Sequence, residues 1–145
     1  MTVVRMNENH IEEIARLEKQ CFSAPWSEAS LFEELSNPNA HFFVCEEKGE
    51  VCGYAGMHVV MREGYIDNIA VFHNHRRRGV ATALVRKLMT CEVDFISLEV
   101  RESNESAVSL YKKLGFELVG RRKNFYENPR EDALIYTLEL KEAEK

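Results

Sequence analysis

The middle of the chain constrains the fold more than any other part. Tyr65 to Val71 reads as a strand ending in Ile69-Ala70-Val71. A polar, basic loop follows from His73 to Arg78. Gly79 then opens a helix with Ala81, Leu84, Val85 and Leu88 at helical spacing, and Phe95 to Val100 reads as a second strand. Two strands joined through a helix cannot form a tight hairpin. The crossover implies a parallel pair inside the sheet.

The flanking segments read as hairpins and short helices. Asn7 is placed as a helix cap ahead of Ile11, Ile14, Leu17 and Cys21. Pro25-Trp26 interrupts, and Ser27 caps a second short helix with Leu31, Phe32 and Leu35 on its inner face. Asn37-Pro38-Asn39 stops it. His41–Glu46 and Val51–Met61 are strands around the turn Lys48-Gly49-Glu50. Arg62-Glu63-Gly64 is the next turn. Ser103 or Asn104 caps a helix from Glu105 to Leu114, closed by Gly115. Phe116–Gly120 and Ala133–Leu140 are the last strands, with Arg121–Asp132 a polar loop between them. The expected fold is α/β: a central mixed sheet with helices on both faces. No repeat or Pro/Gly/Ser linker divides the chain, so residues 1–145 are expected to form one domain.

Composition excludes some function classes. Hydrophobic residues make up 45% and charged residues 30%, as in globular proteins. No apolar run approaches the roughly 20 residues of a membrane span, and the N-terminus has no apolar signal core. A cytoplasmic location is expected. Net charge of −5 disfavours general nucleic-acid binding and favours a cationic substrate. The cysteines Cys21, Cys45, Cys52 and Cys91 form no Cys-x-x-Cys pair, and His73-x-His75 has no third ligand. No metal is expected, and the thiols are read as reduced.

One loop has the makings of an anion site. Arg76-Arg77-Arg78-Gly79-Val80-Ala81-Thr82 lies between a strand and a helix. The first helical turn presents unpaired backbone N–H groups, and the helix dipole adds partial positive charge. Gly79 lets a phosphate approach closely. The loop lacks the Gly-Lys-Ser/Thr of a Walker loop and the Gly-x-Gly-x-x-Gly of a dinucleotide fingerprint. Its Arg-x-x-Gly-x-Ala pattern resembles the pyrophosphate loop of the GNAT acetyltransferases.

A second stretch is more specific. Leu98-Glu99-Val100-Arg101, then Ser103-Asn104, Ala107 and Leu110-Tyr111-Lys112-Lys113-Leu114-Gly115-Phe116, resembles the same family, and its RimI-type members in particular. So do Asp67-Asn68-Ile69-Ala70-Val71, Pro25-Trp26-Ser27, and Asn124-Phe125-Tyr126 leading to Arg130-Glu131-Asp132-Ala133. The resemblance runs from about Phe22 to Leu140 and implies an acetyl-CoA-dependent N-acetyltransferase with the GNAT fold.

The resemblance also implies roles. An α-ammonium, with a pKa near ~8, must lose a proton before it attacks a thioester. Glu99 matches the family's base and Tyr111 its general acid. Ile69, Ala70 and Val71 would line the pantetheine arm and supply oxyanion donors. Arg76 to Thr82 would hold the pyrophosphate, and Asn104 would hydrogen-bond the cofactor. Trp26 and Tyr126 would lie near the acceptor. The implied acceptor is the N-terminal alanine of a small-subunit ribosomal protein. A small amine such as a polyamine or an antibiotic, and an acyl-CoA sensor without turnover, are the alternatives. On the residues alone, Glu99 reads first as a solvent-facing strand residue, Tyr111 as a core-edge aromatic, Asn104 as a cap and Trp26 as packing, and the resemblance is what lifts them above those readings.

Overall fold

The central crossover closes as expected. In the computed structural model, which describes residues 1–140, β4 (Glu63–Val71), α3 (Val80–Leu88) and β5 (Phe95–Arg101) form the strand–helix–strand unit, with β4 and β5 parallel. Antiparallel neighbours extend it both ways. On one side lie β3 (Glu50–Val60), β2 (Ala40–Glu47) and β1 (Thr2–Arg5). On the other lie β7 (Glu131–Glu139) and β6 (Glu117–Tyr126), giving the order β1-β2-β3-β4-β5-β7-β6. Residues 141–145, the end of the expected 1–145 span, lie outside the described residues.

The two hairpin turns explain the tight meander from β2 to β4. Lys48 and Gly49, then Met61 and Arg62, all have positive φ. Positive φ at both central residues matches the right-handed strand twist. The second turn is therefore Met61-Arg62 rather than Arg62-Glu63-Gly64, and β4 starts at Glu63.

Helices cover both faces of the sheet. α1 (Ile11–Cys21) and α2 (Glu28–Glu34) pack on Phe42, Val44, Tyr54, Ala70 and Phe72. α3 and α4 (Glu105–Lys113) pack on the opposite face with Ala55, Met57, Ile66, Ile96, Leu98 and Val100. Gly53 permits the closest approach of α3. A Cβ there would lie 2.6 Å from the Ala70 carbonyl oxygen and 3.1 Å from a Val80 methyl. Asn7 caps a single 3-10 turn, Glu8–His10, that leads into α1. Ser27 and Asn104 cap α2 and α4.

Further expectations need correction. β1 escapes the sequence pattern because four residues at a sheet edge give too little periodicity. Phe32 is 53% exposed, because the inner stripe of this short helix runs through Leu31 and Leu35. The Arg121–Asp132 segment is not a loop throughout: β6 continues to Tyr126, and β7 begins at Glu131. β6 is an edge strand exposed for most of its length, so no alternation of apolar residues marks it. His73–His75 forms a 3-10 turn and His75 is buried. No helix among the described residues is long and apolar enough to cross a membrane.

Candidate active site

The strand pair at the sheet centre is only half zipped. β4 and β5 pair from Glu63 to Tyr65 against Phe95 to Ser97, and nowhere further. Each strand keeps its outer ladder: β4 pairs with β3 as far as Val71, and β5 pairs with β7 as far as Arg101. The two strands therefore splay from Ile66 and Leu98 onward. The Phe72 amide donates to the Cys52 carbonyl. Strand alternation then turns the backbone groups of Ile69 and Val71 toward β5, into the gap. Those of Ala70 belong to the β3 ladder, and its side chain lies in the core under α1 and α2. The Ile69 groups and the Val71 amide edge the gap, while the Val71 carbonyl accepts from Arg76, and such an edge suits an extended ligand that carries its own amides.

α3 begins at the mouth of this gap. Gly79 sits at its N-cap with φ of +81°, and no side chain caps the helix. The first intrahelical amide bond runs from Ala83 to Gly79. The amides of Val80, Ala81 and Thr82 thus stand ahead of the ladder as anion donors. A Cβ on Gly79 would meet nothing within 4 Å, so the space in front of the turn is open. Val80 contributes its amide alone, because its side chain is buried in the core. Arg77 and Arg78 are exposed, and Arg78 reaches Glu47 at 3.3 Å. Arg76 turns away from the helix: its Nε donates to the Val71 carbonyl at 3.1 Å and its Nη2 to the Cys21 sulfur at 3.7 Å.

Glu99 and Tyr111 lie on opposite faces of the sheet. Leu98 and Val100 point into the core under α3 and α4, so Glu99 and Arg101 project toward the α1–α2 side. Glu99 pairs with Ile135 across the β5–β7 ladder, and Arg122 Nε engages one of its carboxylate oxygens. Tyr111 is 7% exposed and packs on Phe116 under α4. Burial, with a smaller contribution from Tyr126, raises its phenol well above the ordinary tyrosine range. Tyr126 closes β6. Burial first, then the Glu99 charge, push its phenol up to about 12, and Arg101 opposes this. The Arg101 guanidinium lies 4.4 Å over the Tyr126 ring. It also donates to the carbonyls of Glu127 and Pro129 and to Glu131, which clamps the hairpin tip.

The other expected residues are equally well defined. Asn104 spends its side-chain oxygen on the Ala107 amide at 3.2 Å, which caps α4 and leaves its amide nitrogen for another partner. Trp26 packs against Phe42 and His58, and its backbone N–H donates to Glu18 at 2.9 Å. Sequence reading overlooked Glu18. This carboxylate is fully buried, and it also accepts from the Tyr54 hydroxyl and from Asn68. It does carry a signal, since it is an acidic residue on the apolar stripe of Ile11, Ile14 and Cys21. Nothing in the sequence singles out His58 or Arg122, and Asp67 figures there only within the Asp67–Val71 resemblance. Among the described residues, no group of three His, Cys, Asp or Glu is placed to hold a metal ion.

A splayed parallel pair with an uncapped, glycine-led helix at its mouth coincides with what comparison finds. The profile of the acetyltransferase (GNAT) family matches residues 11–116. The chain belongs to this family. A Bacillus subtilis (strain 168) relative is 37% identical over 145 residues, covering 97% of this chain and 96% of its own length. It is provisionally named a [ribosomal protein bS18]-alanine N-acetyltransferase. The [ribosomal protein bS18]-alanine N-acetyltransferase of Escherichia coli (strain K12) is 33% identical over 132 residues, covering 86% of this chain and 87% of that protein. A crystal structure of the Escherichia coli ribosomal-protein-S18-alanine N-acetyltransferase superposes with a TM-score of 0.89 at 29% identity, over 99% of this chain and 96% of that one.

Proposed function

We propose that this acetyltransferase moves an acetyl group from acetyl-CoA to the N-terminal α-amine of a protein, namely the N-terminal alanine of a small-subunit ribosomal protein in the cytoplasm. The observation that carries this reading is the splay itself, with Glu99 on its α1–α2 side and Tyr111 on its α4 side. The relatives named for alanine acetylation support the acceptor.

The residues present fit acetyl-CoA. The amides of Val80, Ala81 and Thr82, with Arg77 and Arg78 outside them, would hold its pyrophosphate. Ile69 and Val71 would pair with the pantetheine amides. Asn104 would hydrogen-bond the cofactor through its remaining amide nitrogen. The co-substrate supplies a thioester carbonyl open to attack by an amine.

The chain's own groups handle the protons. Glu99 keeps one carboxylate oxygen clear of Arg122 and takes the proton of the incoming ammonium, directly or through a water. The open backbone amides on β4 stabilise negative charge as it develops on the attacked carbonyl oxygen. Tyr111, whose phenol holds its proton at neutral pH, donates to the leaving thiolate from the other face. Trp26 and Tyr126 wall the acceptor side. With the base and the acid separated by the gap, attack is direct and no enzyme nucleophile is needed.

The test follows free thiol released from acetyl-CoA. The acceptors are an alanine-starting peptide, the same peptide already N-acetylated, and a polyamine. Turnover with the free peptide alone is expected, and Glu99→Gln should lower kcat about a hundredfold or more. Turnover with the polyamine alone would overturn the acceptor. Unchanged kcat in Glu99→Gln would overturn the base.

A further inference from the structure

His58 on β3 has a carboxylate at each ring nitrogen. Nδ1 meets Asp67 Oδ2 at 2.5 Å, and Nε2 meets Glu34 Oε2 at 2.7 Å. A neutral imidazole has one N–H, whereas two ionised carboxylates ask for two, so the geometry selects the imidazolium. Burial works against the charge. The hydrogen bond to Glu34 and the nearby Asp67 outweigh it and raise His58 above the ordinary histidine range.

The backbone makes a special provision for this contact. The β3–β4 register runs Met57 to Ile66 and then Gly56 to Asn68, so Asp67 is an extra, bulged residue. Without a bulge, neighbouring residues would point to opposite faces. With it, Asp67 and Asn68 both turn toward α1 and α2. Asn68 reaches Glu18, and Asp67 reaches His58.

Both contacts converge on Trp26. Glu18 accepts the Trp26 backbone N–H. The His58 ring stacks on the indole at 6.3 Å with an interplanar angle of 23°. Phe42 packs edge-on to the same imidazole at 5.6 Å. Glu34 is itself steadied by Asn37 at 3.1 Å. The clasp thus ties α2, β3, the β4 bulge and the α1–α2 loop together, where β4 leaves β5. Glu99 projects from the same face of the sheet.

A partly exposed ion cluster is an inefficient way to stabilise a fold, because solvent screens it and desolvation opposes it. The side chains of His58, Glu34 and Asp67 are 25%, 15% and 27% exposed. An apolar residue at position 58 would fill the corner between Phe42 and Trp26 equally well. The clasp therefore answers a need for placement.

We infer that His58, held between Glu34 and Asp67 and stacked on Trp26, is a positioning residue that fixes the acceptor wall of the site. The inference rests on the acetyltransferase reading above. His58 acts through Trp26.

The test uses two variants of the full chain. His58→Phe keeps an aromatic ring against Trp26 and Phe42 but loses both ion contacts. Asp67→Asn keeps the shape and one acceptor oxygen but loses a charge. Steady-state rates are measured with peptide and acetyl-CoA varied separately. In His58→Phe the peptide KM should rise about tenfold, with kcat and the acetyl-CoA KM within about twofold of wild type. Asp67→Asn should raise the peptide KM about threefold on the same axis. Trp26 is the only tryptophan, so its emission reports the stack directly. The peptide concentration that half-changes this emission should move with the peptide KM. Equal losses for both substrates, or an unchanged peptide KM in both variants, would overturn the inference. Wild type that neither turns over the peptide nor binds it would overturn the acceptor reading itself, and the inference with it. If His58→Phe does not fold, Asp67→Asn decides.

Discussion

The two faces of the sheet are packed differently. Under α3 and α4 the contacts are almost wholly apolar, with Leu84, Val85, Leu88, Ile96 and Leu98 buried together. Under α1 and α2 the core is smaller, and polar groups run through it. Glu18 and His10 are buried, and the clasp of Glu34, His58 and Asp67 stands at its margin. Apolar packing tolerates repacking and gives no direction, whereas hydrogen bonds fix positions. The α3–α4 face holds the fold together. The α1–α2 face fixes Trp26 through Glu18 and His58.

Substitutions on each face can break or sharpen this contrast. Glu18→Ala should have the largest effect, a loss of about 4 kcal/mol in urea unfolding. It leaves the Tyr54 hydroxyl, Asn68 and the Trp26 amide without their acceptor, and opens a cavity. The peptide KM should rise in step, because Trp26 loses its backbone anchor. A loss below about 1 kcal/mol would mean the polar network contributes little more than a single hydrogen bond.

Leu84→Ala on the other face should cost about 3 kcal/mol by the same measurement. The peptide and acetyl-CoA KM values should stay close to wild type. A rise confined to the peptide KM would erase the distinction between the faces. The contrast also places the phosphate end outside both cores. Gly79→Val puts a branched residue at φ of +81° in open space. It should cost about 1–2 kcal/mol in backbone strain and raise the acetyl-CoA KM more than the peptide KM.

The smallest effect depends on pH. The folded-state pKa of His58 is raised, so its stabilisation is lost as pH rises through the folded value, and burial, which raises the Asp67 carboxyl, bounds it on the acid side. After screening, wild type should exceed His58→Phe by about 1 kcal/mol in mildly acidic buffer. Thermal melts across the pH range should show that gap closing on the alkaline side. A gap that widens with pH would mean that His58 is neutral in the clasp.

Much of the fold was legible before any coordinates. The crossover between Tyr65 and Val100, the caps Ser27 and Asn104, and the stripe of α3 are local, periodic signals. Local periodicity survives whatever the rest of the chain does. β1 and the outer half of β6 were not legible, because edge strands take their identity from a partner distant in sequence. For the candidate site, the loop at Gly79 stood out by its residue types, as did the stretch from Leu98 to Phe116. Glu18 and His58 did not, and the Asp67–Val71 resemblance gave no sign of the contact between Asp67 and His58, because each is an ordinary residue until its neighbours are known.

The sequence by itself determined the mixed sheet, the parallel pair at its centre and a helix start able to bind an anion. These follow from spacing, turn residues and backbone donors within one short stretch. Only the tertiary structure decided that β4 and β5 part after three pairs, that Glu99 and Tyr111 lie on opposite faces of the sheet, and that a bulge turns Asp67 onto His58. The physical reason is the same in all three cases. A ladder that stops, a face that is chosen and a proton held between two carboxylates are relations between strands. No single segment contains them.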